Sequence, residues 1–365
     1  MTRTALIMAG GTGGHVYPAL AVAECLRGDG WRVHWLGTRA GMEARVAADK
    51  GFPMEWLSFA GVRGKGPLRL VFLPVQMLVA FWQAARAIFR VRPDVAIGLG
   101  GYVAFPGGMM ASLLNKPLAI HEQNAVAGMT NRVLACLADR VLLGLPAAFG
   151  HIQDRPMPCG KVNGEWVGNP VRPDIAALPA PAERYDGRQG PLRLLVVGGS
   201  LGATPLNELL PRALALLPGE RRPLVRHQAG RGKLEHLAAQ YREQGVEAEC
   251  LEFIADMAAA YAWADLVVCR AGASTVAEIA AAGVAALCVP FPFAVDDHQT
   301  ENARFLSDAG AAWLMQQRDL TPQLLAEWLG GLDRAELLAR AEKARALAKA
   351  DAARRVADIV KELAG

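Results

Sequence analysis

Apolar positions are distributed along the chain in two kinds of segment. Nine short, nearly continuous apolar runs lie at 4–9, 32–36, 95–98, 118–121, 140–143, 193–197, 224–227, 266–269 and 285–289. Most of the stretches between them have apolar residues spaced three and four positions apart, which is typical of amphipathic helices. Buried strands that alternate with helices indicate parallel sheets covered on both faces, so the pattern predicts an α/β fold.

An internal repeat divides this pattern into two halves. The sequence LIMAGGTGGH at 6–15 has a counterpart in LLVVGGSLGA at 194–203, and each is a strand followed by a glycine turn and a helix. Such a unit begins a doubly wound sheet, and 365 residues exceed one ordinary core. We therefore expect two domains and a linker. The expected bounds are 1–170, a linker at 171–190, 191–340, and a helical segment at 341–365 that packs on either domain.

Composition narrows the class of protein. The chain is 52% hydrophobic and 20% charged, with 39 Lys and Arg against 35 Asp and Glu, which excludes a disordered chain or a coiled coil. Because the Lys and Arg residues form no block, we expect no nucleic-acid partner. The apolar run at the start ends at Gly10 and is too short for a secretory signal, so we expect a cytosolic chain.

The cysteines carry no pairing signal. They are widely spaced and form no C-x-x-C pair, which indicates buried thiols rather than a disulfide framework or a zinc site. The six are Cys25, Cys136, Cys159, Cys250, Cys269 and Cys288.

One apolar segment suggests a surface function. Residues 70–85 carry no charge, but the run is shorter than the ~20 residues of a spanning helix and contains Pro74, so we expect it not to cross a bilayer. Two interpretations remain: a core-facing helix with solvated arginines, or a helix that lies in an anionic headgroup layer. In the second interpretation the membrane-facing residues are Phe72, Leu78, Phe81, Trp82, Arg86 and Arg90.

The glycine turns are candidate anion sites. A glycine loop before a helix presents unpaired backbone N–H groups at the positive end of the helix dipole. The loop at 10–15 (GGTGGH) lacks the Gly-Lys-Ser/Thr of a P-loop, and Val16 occupies the place of the third glycine of a dinucleotide fingerprint. These features disfavour an NTPase and a dinucleotide oxidoreductase. Each loop by itself could be a structural turn, but two in matching places favour phosphate binding.

Further polar groups follow predicted strands. They are the glycine cluster at 98–102, the HEQN run at 121–124 and the CRAGASTVAE run at 269–278. Glu278 is placed either to bind the vicinal hydroxyls of a ribose or to interact with a helix dipole. The chain contains no D-x-D sequence, so a metal-bridged sugar nucleotide is not indicated, and amides and helix dipoles must neutralise a diphosphate.

Six motifs in order resemble those of the MurG family of bacterial N-acetylglucosaminyltransferases. They are GGTGGHVYPALAVA at 10–23, GLGGYVAFPGG at 98–108, HEQN at 121–124, GNPVR at 168–172, GGSLGA at 198–203 and CRAGASTVAE at 269–278. The resemblance implies a GT-B glycosyltransferase fold of two doubly wound domains that face each other across a cleft. It also implies inversion at the anomeric carbon, no cofactor or catalytic metal, and peripheral attachment to the cytoplasmic face of the inner membrane. The implied donor is UDP-N-acetylglucosamine (UDP-GlcNAc) and the acceptor is undecaprenyl-pyrophosphoryl-N-acetylmuramoyl-pentapeptide (lipid I). Anionic lipids and other cell-wall enzymes are further expected partners.

The resemblance also implies site residues. The donor contacts would be Thr12, Gly13, Gly14, Asn124, Arg172, Ser200, Ile254, Ala273, Ser274, Thr275, Val276, Ala277, Glu278 and Gln299. Ser200 would bind the diphosphate, the backbone at Ile254 the uracil, and Gln299 with Asn124 the sugar. The acceptor contacts would be Gly13, Gly14, Gly100, Gly101, Tyr102, His121 and Glu122. The sequence departs from the family pattern at 104–105, 150–166 and 292–295, and the last departure weakens the assignment of Gln299.

His15 is the candidate catalytic base. It follows the first glycine loop at a helix N-terminus, where the dipole favours a neutral imidazole that can accept a proton. Alternatively, His15 braces the loop or binds the acceptor diphosphate. Rival functions are a GT-B transferase with another acceptor, a nucleotide-sugar-binding scaffold, and a UDP-sugar 2-epimerase.

Overall fold

The computed structural model describes residues 2–58, 67–146, 148–149, 159, 162–199 and 201–365, with backbone alone at 67–71. The chain divides into two compact units. The first unit consists of the chain up to Arg172 together with the C-terminal segment Lys349–Gly365. The second unit is Pro173–Ala348. Each unit is built on a parallel sheet, so the α/β prediction is confirmed.

The first unit has a seven-stranded sheet in the order β3-β2-β1-β4-β5-β6-β7. Its elements are β1 (Thr4–Met8), α1 (Gly13–Gly28), β2 (Arg32–Thr38), α2 (Met42–Asp49), β3 (Met54–Leu57), α3 (Pro67–Val91), β4 (Val95–Gly98), α4 (Ala104–Leu113), β5 (Leu118–Glu122), α5 (Met129–Leu134), β6 (Arg140–Leu143) and β7 (Glu165–Trp166). Alternate residues of β1 enter different cores, Ile7 on one face of the sheet and Leu6 and Met8 on the other. The strand order reverses between β1 and β4, so the loops that follow these two strands are neighbours.

The second unit has a six-stranded sheet in the order β10-β9-β8-β11-β12-β13. Its elements are α6 (Pro173–Ala176), α7 (Pro181–Tyr185), β8 (Arg193–Val197), α8 (Thr204–Ala215), β9 (Leu224–Gln228), α9 (Leu234–Glu243), β10 (Glu249–Leu251), α10 (Met257–Trp263), β11 (Leu266–Cys269), α11 (Ala273–Ala282), β12 (Ala285–Cys288), α12 (His298–Ser307), β13 (Ala312–Leu314), α13 (Pro322–Gly330) and α14 (Arg334–Ala346). Its order reverses between β8 and β11, as the first sheet reverses between β1 and β4. The sequence repeat therefore corresponds to a repeat of topology.

The C-terminal segment is shared between the units. Its helix is interrupted at 347–351, so α14 belongs to the second unit and α15 (Ala352–Leu363) to the first. Helix α15 packs on α1 and β4, with Val356, Ile359 and Val360 fully buried. The segment at 341–365 is thus two helices with different neighbours.

Most of the expected linker is folded onto the second unit. Arg184 donates hydrogen bonds to the carbonyl oxygens of Tyr261 (3.1 Å) and Ala282 (2.6 Å). The hydroxyl of Tyr185 donates to the carbonyl oxygen of Asp265 (2.8 Å). These bonds hold residues 181–185 in place, so they do not act as a free connection.

Four strands are absent from the sequence prediction. They are β3, β7, β10 and β13, which have two to four residues each and include polar or half-buried positions. Edge strands have one neighbour and one partly solvated side, so they need no continuous apolar run. Periodicity therefore did not distinguish them from loops.

The expectation of six buried thiols is wrong. Cys136 and Cys159 form a disulfide with their Cα atoms 5.4 Å apart, and Cys25 and Cys250 are only half-buried. Cys269 is buried, as expected. The disulfide joins residues separated by 23 positions, and that spacing gives no indication of which cysteines the fold brings together.

Helix α3 combines both interpretations of the apolar segment. Ala80, Ala84 and Ile88 are buried on the sheet side, whereas Leu78 and Trp82 are 69% and 61% exposed. The uncharged run is short, but by length and composition the stretch Phe72–Val91 (20 residues, mean hydropathy 1.3, 22% buried) is long and apolar enough to cross a membrane. Length alone therefore does not exclude a span, contrary to the expectation from the run at 70–85.

Two residues expected on the membrane face also contact other residues of the first unit. The ring of Phe81 contacts that of Phe105, with centroids 5.9 Å apart, and Arg90 pairs with Glu55 of β3. Phe72, Leu78, Trp82 and Arg86 remain as candidates for a surface contact, with the Arg86 guanidinium 5.6 Å from the Trp82 ring centroid.

Candidate active site

Two glycine loops of the first unit are in contact at the reversal of strand order. A Cβ atom on Gly101 would lie 2.1 Å from the carbonyl oxygen of Gly10, and Gly101 has φ +81°. A Cβ on Gly100 would lie 2.6 Å from Nδ1 of His15. Glycine at these positions thus lets the loop after β4 approach the loop after β1 and the imidazole of His15, which larger residues would prevent.

Two amides of the first loop, those of Gly13 and Gly14, are placed to bind a ligand. Helix α1 begins at Gly13, and its N-cap residue Thr12 makes no side-chain cap hydrogen bond. The first N–H groups of a helix have no partner within the helix. Gly13 and Gly14 therefore present amides at the positive end of α1, as the sequence predicts for an anion site.

A chain of hydrogen bonds determines which nitrogen of His15 carries a proton. The side-chain NH₂ of Gln123 lies 2.8 Å from the carbonyl oxygen of Leu99 and 3.2 Å from Nδ1 of His121. The carbonyl oxygen of Gly168 can only accept, so Nε2 of His121 donates to it (2.9 Å) and Nδ1 of His121 is an acceptor. The two hydrogens of the Gln123 NH₂ group therefore go to Leu99 and to His121. Oε1 of Gln123 then faces Nδ1 of His15 at 3.1 Å and accepts a hydrogen bond from its N–H. Nε2 of His15 is left with a lone pair, as a general base requires.

His121 supports this chain from within the protein. Its side chain is fully buried, and burial lowers its pKa to about 4, so it is neutral near pH 7. A neutral imidazole has one donor and one acceptor nitrogen, which fits its two partners. His121 was expected to contact the acceptor, but the structure places it in the interior, where its side chain is hydrogen-bonded to that of Gln123.

Glu122 is also directed inward. Glu122 is 2% exposed, and its carboxylate accepts hydrogen bonds from the backbone N–H of Asn124 (2.9 Å), the backbone N–H of Gly128 (3.1 Å) and Nδ2 of Asn131 (2.9 Å). These bonds stabilise the turn after β5 that carries Asn124. Glu122 therefore organises the loop, and a direct acceptor contact is not what its position indicates.

Buried neutral histidines make stability depend on pH. Burial lowers the pKa of His227 to about 3, against about 6.5 for an unfolded histidine. The unfolded chain binds the extra proton between these values, so stability is full above pH 6.5 and falls as the pH decreases, by up to about 1.4 kcal/mol per unit for each such group. We expect H227N to flatten this acid limb in unfolding titrations between pH 7 and 4. The same change at exposed His236 should leave the slope unaltered, and an equal flattening by both would contradict the assignment.

The predicted donor residues of the second unit follow the carboxyl ends of its strands. Ile254 comes after β10, residues 273–278 form the start of α11 after β11, and Gln299 lies in α12 after β12. Ser200, expected to bind the diphosphate, lies outside the described residues. The carboxyl ends of parallel strands lie along one edge of the sheet, so all of these residues follow strands at that edge.

Helix α11 has features of a phosphate site. Its N-cap is Gly272, which has no side chain to cap the first amides. The hydroxyl oxygen of Ser274 is buried and has no hydrogen-bond partner within the part of the chain that the structure describes. An unpaired buried hydroxyl is costly, and a phosphate oxygen at this helix end would satisfy it.

Glu278 is held by a residue that the sequence did not reveal. Its Oε2 accepts a hydrogen bond from the hydroxyl of Tyr261 (3.1 Å), a buried residue of α10. In the sequence Tyr261 has the appearance of an ordinary core residue. Its hydroxyl orients the carboxylate that was expected to bind a ribose.

The loop after β12 is also tied to its neighbours. The carbonyl oxygen of the Gln299 side chain accepts from the backbone N–H of Phe291 (2.9 Å), which fixes the orientation of the amide and leaves its NH₂ directed away from this contact. Arg270 donates to the carbonyl oxygens of Val289 (3.1 Å) and Pro290 (3.0 Å), and burial lowers its pKa. Arg270 thereby joins the ends of β11 and β12.

In the described part of the chain, no three His, Cys, Asp or Glu side chains are grouped to hold a metal ion.

Comparison with known proteins agrees with this arrangement. Residues 5–143 match the glycosyltransferase family 28 N-terminal domain, and residues 193–363 match the family's C-terminal domain. The crystal structure of MurG from Acinetobacter baumannii has a TM-score of 0.85, with 42% identity and 99% of each chain covered. The chain belongs to the MurG family.

Relatives of MurG type extend over the whole chain. The UDP-N-acetylglucosamine--N-acetylmuramyl-(pentapeptide) pyrophosphoryl-undecaprenol N-acetylglucosamine transferase of Thiobacillus denitrificans is 63% identical, covering 99% of this chain and 98% of its own length. The transferase of the same name from Cupriavidus metallidurans is 58% identical, covering 100% and 99%. Membership of the MurG family confirms the resemblance drawn from the six motifs and the GT-B fold. The contacts assigned to individual residues remain predictions.

Proposed function

We propose that this chain transfers N-acetylglucosamine from UDP-GlcNAc to the C4 hydroxyl of the N-acetylmuramoyl unit of lipid I. The products are lipid II and UDP, and the anomeric carbon is inverted. The names of the MurG-type relatives support the substrates. The observation that carries the mechanism is the hydrogen-bond chain that directs the Nδ1–H of His15 at Gln123, so that the lone pair of the neutral imidazole is on Nε2.

His15 acts as the general base in this proposal. The C4 oxygen forms a bond to the anomeric carbon while the bond to UDP breaks and its electron pair leaves with the diphosphate. The C4 proton passes to Nε2 of His15, and the resulting imidazolium keeps its bond from Nδ1 to Oε1 of Gln123. A positioned base contributes about 10²- to 10⁴-fold to the rate.

The donor is assigned mainly to the second unit. The N-terminus of α11 and the hydroxyl of Ser274 receive the diphosphate, and Glu278, oriented by Tyr261, receives the ribose hydroxyls. Backbone amides and helix ends neutralise the leaving group, so the proposal includes no catalytic metal and no cofactor. The acceptor's diphosphate is assigned to the amides of Gly13 and Gly14.

A transfer assay tests the function. The protein is incubated with radiolabelled UDP-GlcNAc and a lipid I analogue, diacylglycerol or no acceptor, each with and without EDTA. Labelled disaccharide product is expected with the lipid I analogue, whether or not EDTA is present. UDP-GlcNAc binding without transfer would indicate a scaffold, UDP release without an acceptor would indicate an epimerase, and transfer to diacylglycerol alone would indicate a different acceptor. Loss of transfer with EDTA would contradict the metal-free mechanism.

We further propose peripheral attachment to the cytoplasmic face of the inner membrane through α3. Its outward face combines the exposed side chains of Phe72, Leu78 and Trp82 with the cation of Arg86. Apolar side chains beside a cation match a surface of anionic headgroups over acyl chains.

Reversal of one charge on this face should weaken membrane binding. One basic residue near an anionic surface contributes about 1 kcal/mol, so we expect R86E to lower partition into phosphatidylglycerol vesicles by about fivefold or more. Sedimentation with vesicles measures the effect. R318E places the same charge change on an exposed side chain of the second unit and is the control. Equal losses in both variants would show that the surface lies elsewhere.

A further inference from the structure

A buried carboxylate lies behind the two glycine loops of the first unit. Glu43, in the first turn of α2, is fully buried. A Cβ atom on Gly10, Gly37 or Gly41 would lie 2.7, 2.7 or 2.1 Å from atoms of the Glu43 side chain. None of these three glycines has a positive φ, so the space taken by Glu43, rather than backbone conformation, requires glycine.

The carboxylate binds the first glycine loop to the end of β2. Oε2 of Glu43 accepts a hydrogen bond from the backbone N–H of Gly11 (3.1 Å). Oε1 accepts from the backbone N–H of Thr38 (2.9 Å) and from its hydroxyl (2.8 Å). Three donors thus converge on one side chain, and two of them are main-chain groups that cannot turn away.

The same interactions determine the direction of a hydrogen bond at Tyr102. The hydroxyl of Thr38 has one hydrogen, which it donates to Glu43. The 3.0 Å contact between the oxygens of Thr38 and Tyr102 must then be donated by Tyr102. The Tyr102 ring also lies beside the first loop, since a Cβ on Gly11 would be 3.7 Å from its Cε1.

We propose that Glu43 is a positioning residue for the acceptor substrate. It holds the Gly11 amide in one loop and, through Thr38, sets the hydroxyl of Tyr102 in the other. With its hydrogen directed at Thr38, the Tyr102 oxygen can only accept. Any acceptor group that binds this oxygen must therefore donate a hydrogen, as a hydroxyl or amide N–H of the sugar or peptide does and a pyrophosphate oxygen does not. This inference rests on the proposed function.

The test is a comparison of acceptor and donor kinetics in E43Q. A glutamine keeps the shape of the side chain but directs an NH₂ group either at the N–H of Gly11 or at the two donors of Thr38. Loss of such hydrogen bonds to a charged group corresponds to about 10- to 100-fold, which we expect as a fall in kcat/KM for a lipid I analogue. The Kd for UDP-GlcNAc should change less than about twofold. D94N is the control, since Asp94 accepts from the N–H of Thr4 (2.7 Å) at the amino end of β1.

A second set of variants addresses the connection through Thr38. T38V removes the hydroxyl between Glu43 and Tyr102, and Y102F removes the phenol oxygen. In a double-mutant cycle we expect T38V to add little to the acceptor defect of Y102F, because both act through the same bond.

Each result distinguishes the inference from the function on which it depends. Unchanged acceptor kinetics in folded E43Q, or equal losses for acceptor and donor, would overturn the positioning role. If E43Q does not fold, the T38V and Y102F cycle decides, and additive effects would overturn it. Absence of transfer by the unmodified protein would instead contradict the proposed function.

Discussion

Replacement of His15 by alanine is expected to lower kcat for transfer by about 10²- to 10⁴-fold. The hydrogen-bond chain from Gly168 through His121 and Gln123 ends at His15 and leaves its Nε2 as a proton acceptor. Alanine removes this acceptor and leaves the C4 hydroxyl without a base. Steady-state kinetics with UDP-GlcNAc and a lipid I analogue measure the loss.

Donor binding is the accompanying control. The Kd for UDP-GlcNAc, measured by calorimetry, should stay nearly constant in H15A because the donor is assigned mainly to the second unit. Q123L removes the acceptor for Nδ1–H while retaining the imidazole, so we expect it to cause a smaller fall in kcat. Unchanged turnover in H15A would remove His15 from the role of base, and a parallel loss of donor affinity would indicate that it braces the loop instead.

Replacement of Gly101 by alanine is expected to abolish detectable transfer and to destabilise the first unit. The new Cβ would lie 2.1 Å from the carbonyl oxygen of Gly10, so the two loops must separate. Separation moves Gly100 away from His15 and Tyr102 away from Thr38. A thermal melt and the transfer assay measure the two effects.

G51A separates this overlap from the cost of a positive φ. Gly51 has φ +74° in the same unit, but no atom lies within 4 Å of a Cβ placed there. A left-handed backbone conformation costs an alanine about 1–2 kcal/mol, so G51A should be modestly destabilised and fully active. If G101A resembles G51A in both measurements, close approach of the loops is not required for function.

Much of the fold was predictable because the central strands are continuous runs of apolar residues. The run at 193–197 and the glycines that follow it indicated the start of the second sheet, and β8 (Arg193–Val197) occupies that place. In contrast, β7 (Glu165–Trp166) has only two residues, neither of them buried, and gave no signal. Pattern identifies strands that are buried on both faces, whereas an edge strand depends on its neighbour.

The same distinction applies to the candidate site. His15 and Glu278 were selected because they follow glycine turns at helix N-terminal regions. Glu43 and Tyr261 were not selected, and Gln123 was included only as part of the HEQN run with no role of its own, although each of the three makes a hydrogen bond that holds or orients a site residue. The site residues that they hold, His15, Gly11 and Glu278, are 108, 32 and 17 residues away, so these roles depend on contacts that local sequence does not encode.

The sequence by itself determined the fold class, the family and the glycine loops, because burial pattern and glycine content are local properties of the chain. Only the tertiary structure decided which groups meet. It paired Cys136 with Cys159, turned His121 and Glu122 inward, and divided the C-terminal helices between the two units. The physical reason is that hydrogen bonds and packing act over a few ångströms in space, and folding brings distant parts of the chain to those distances.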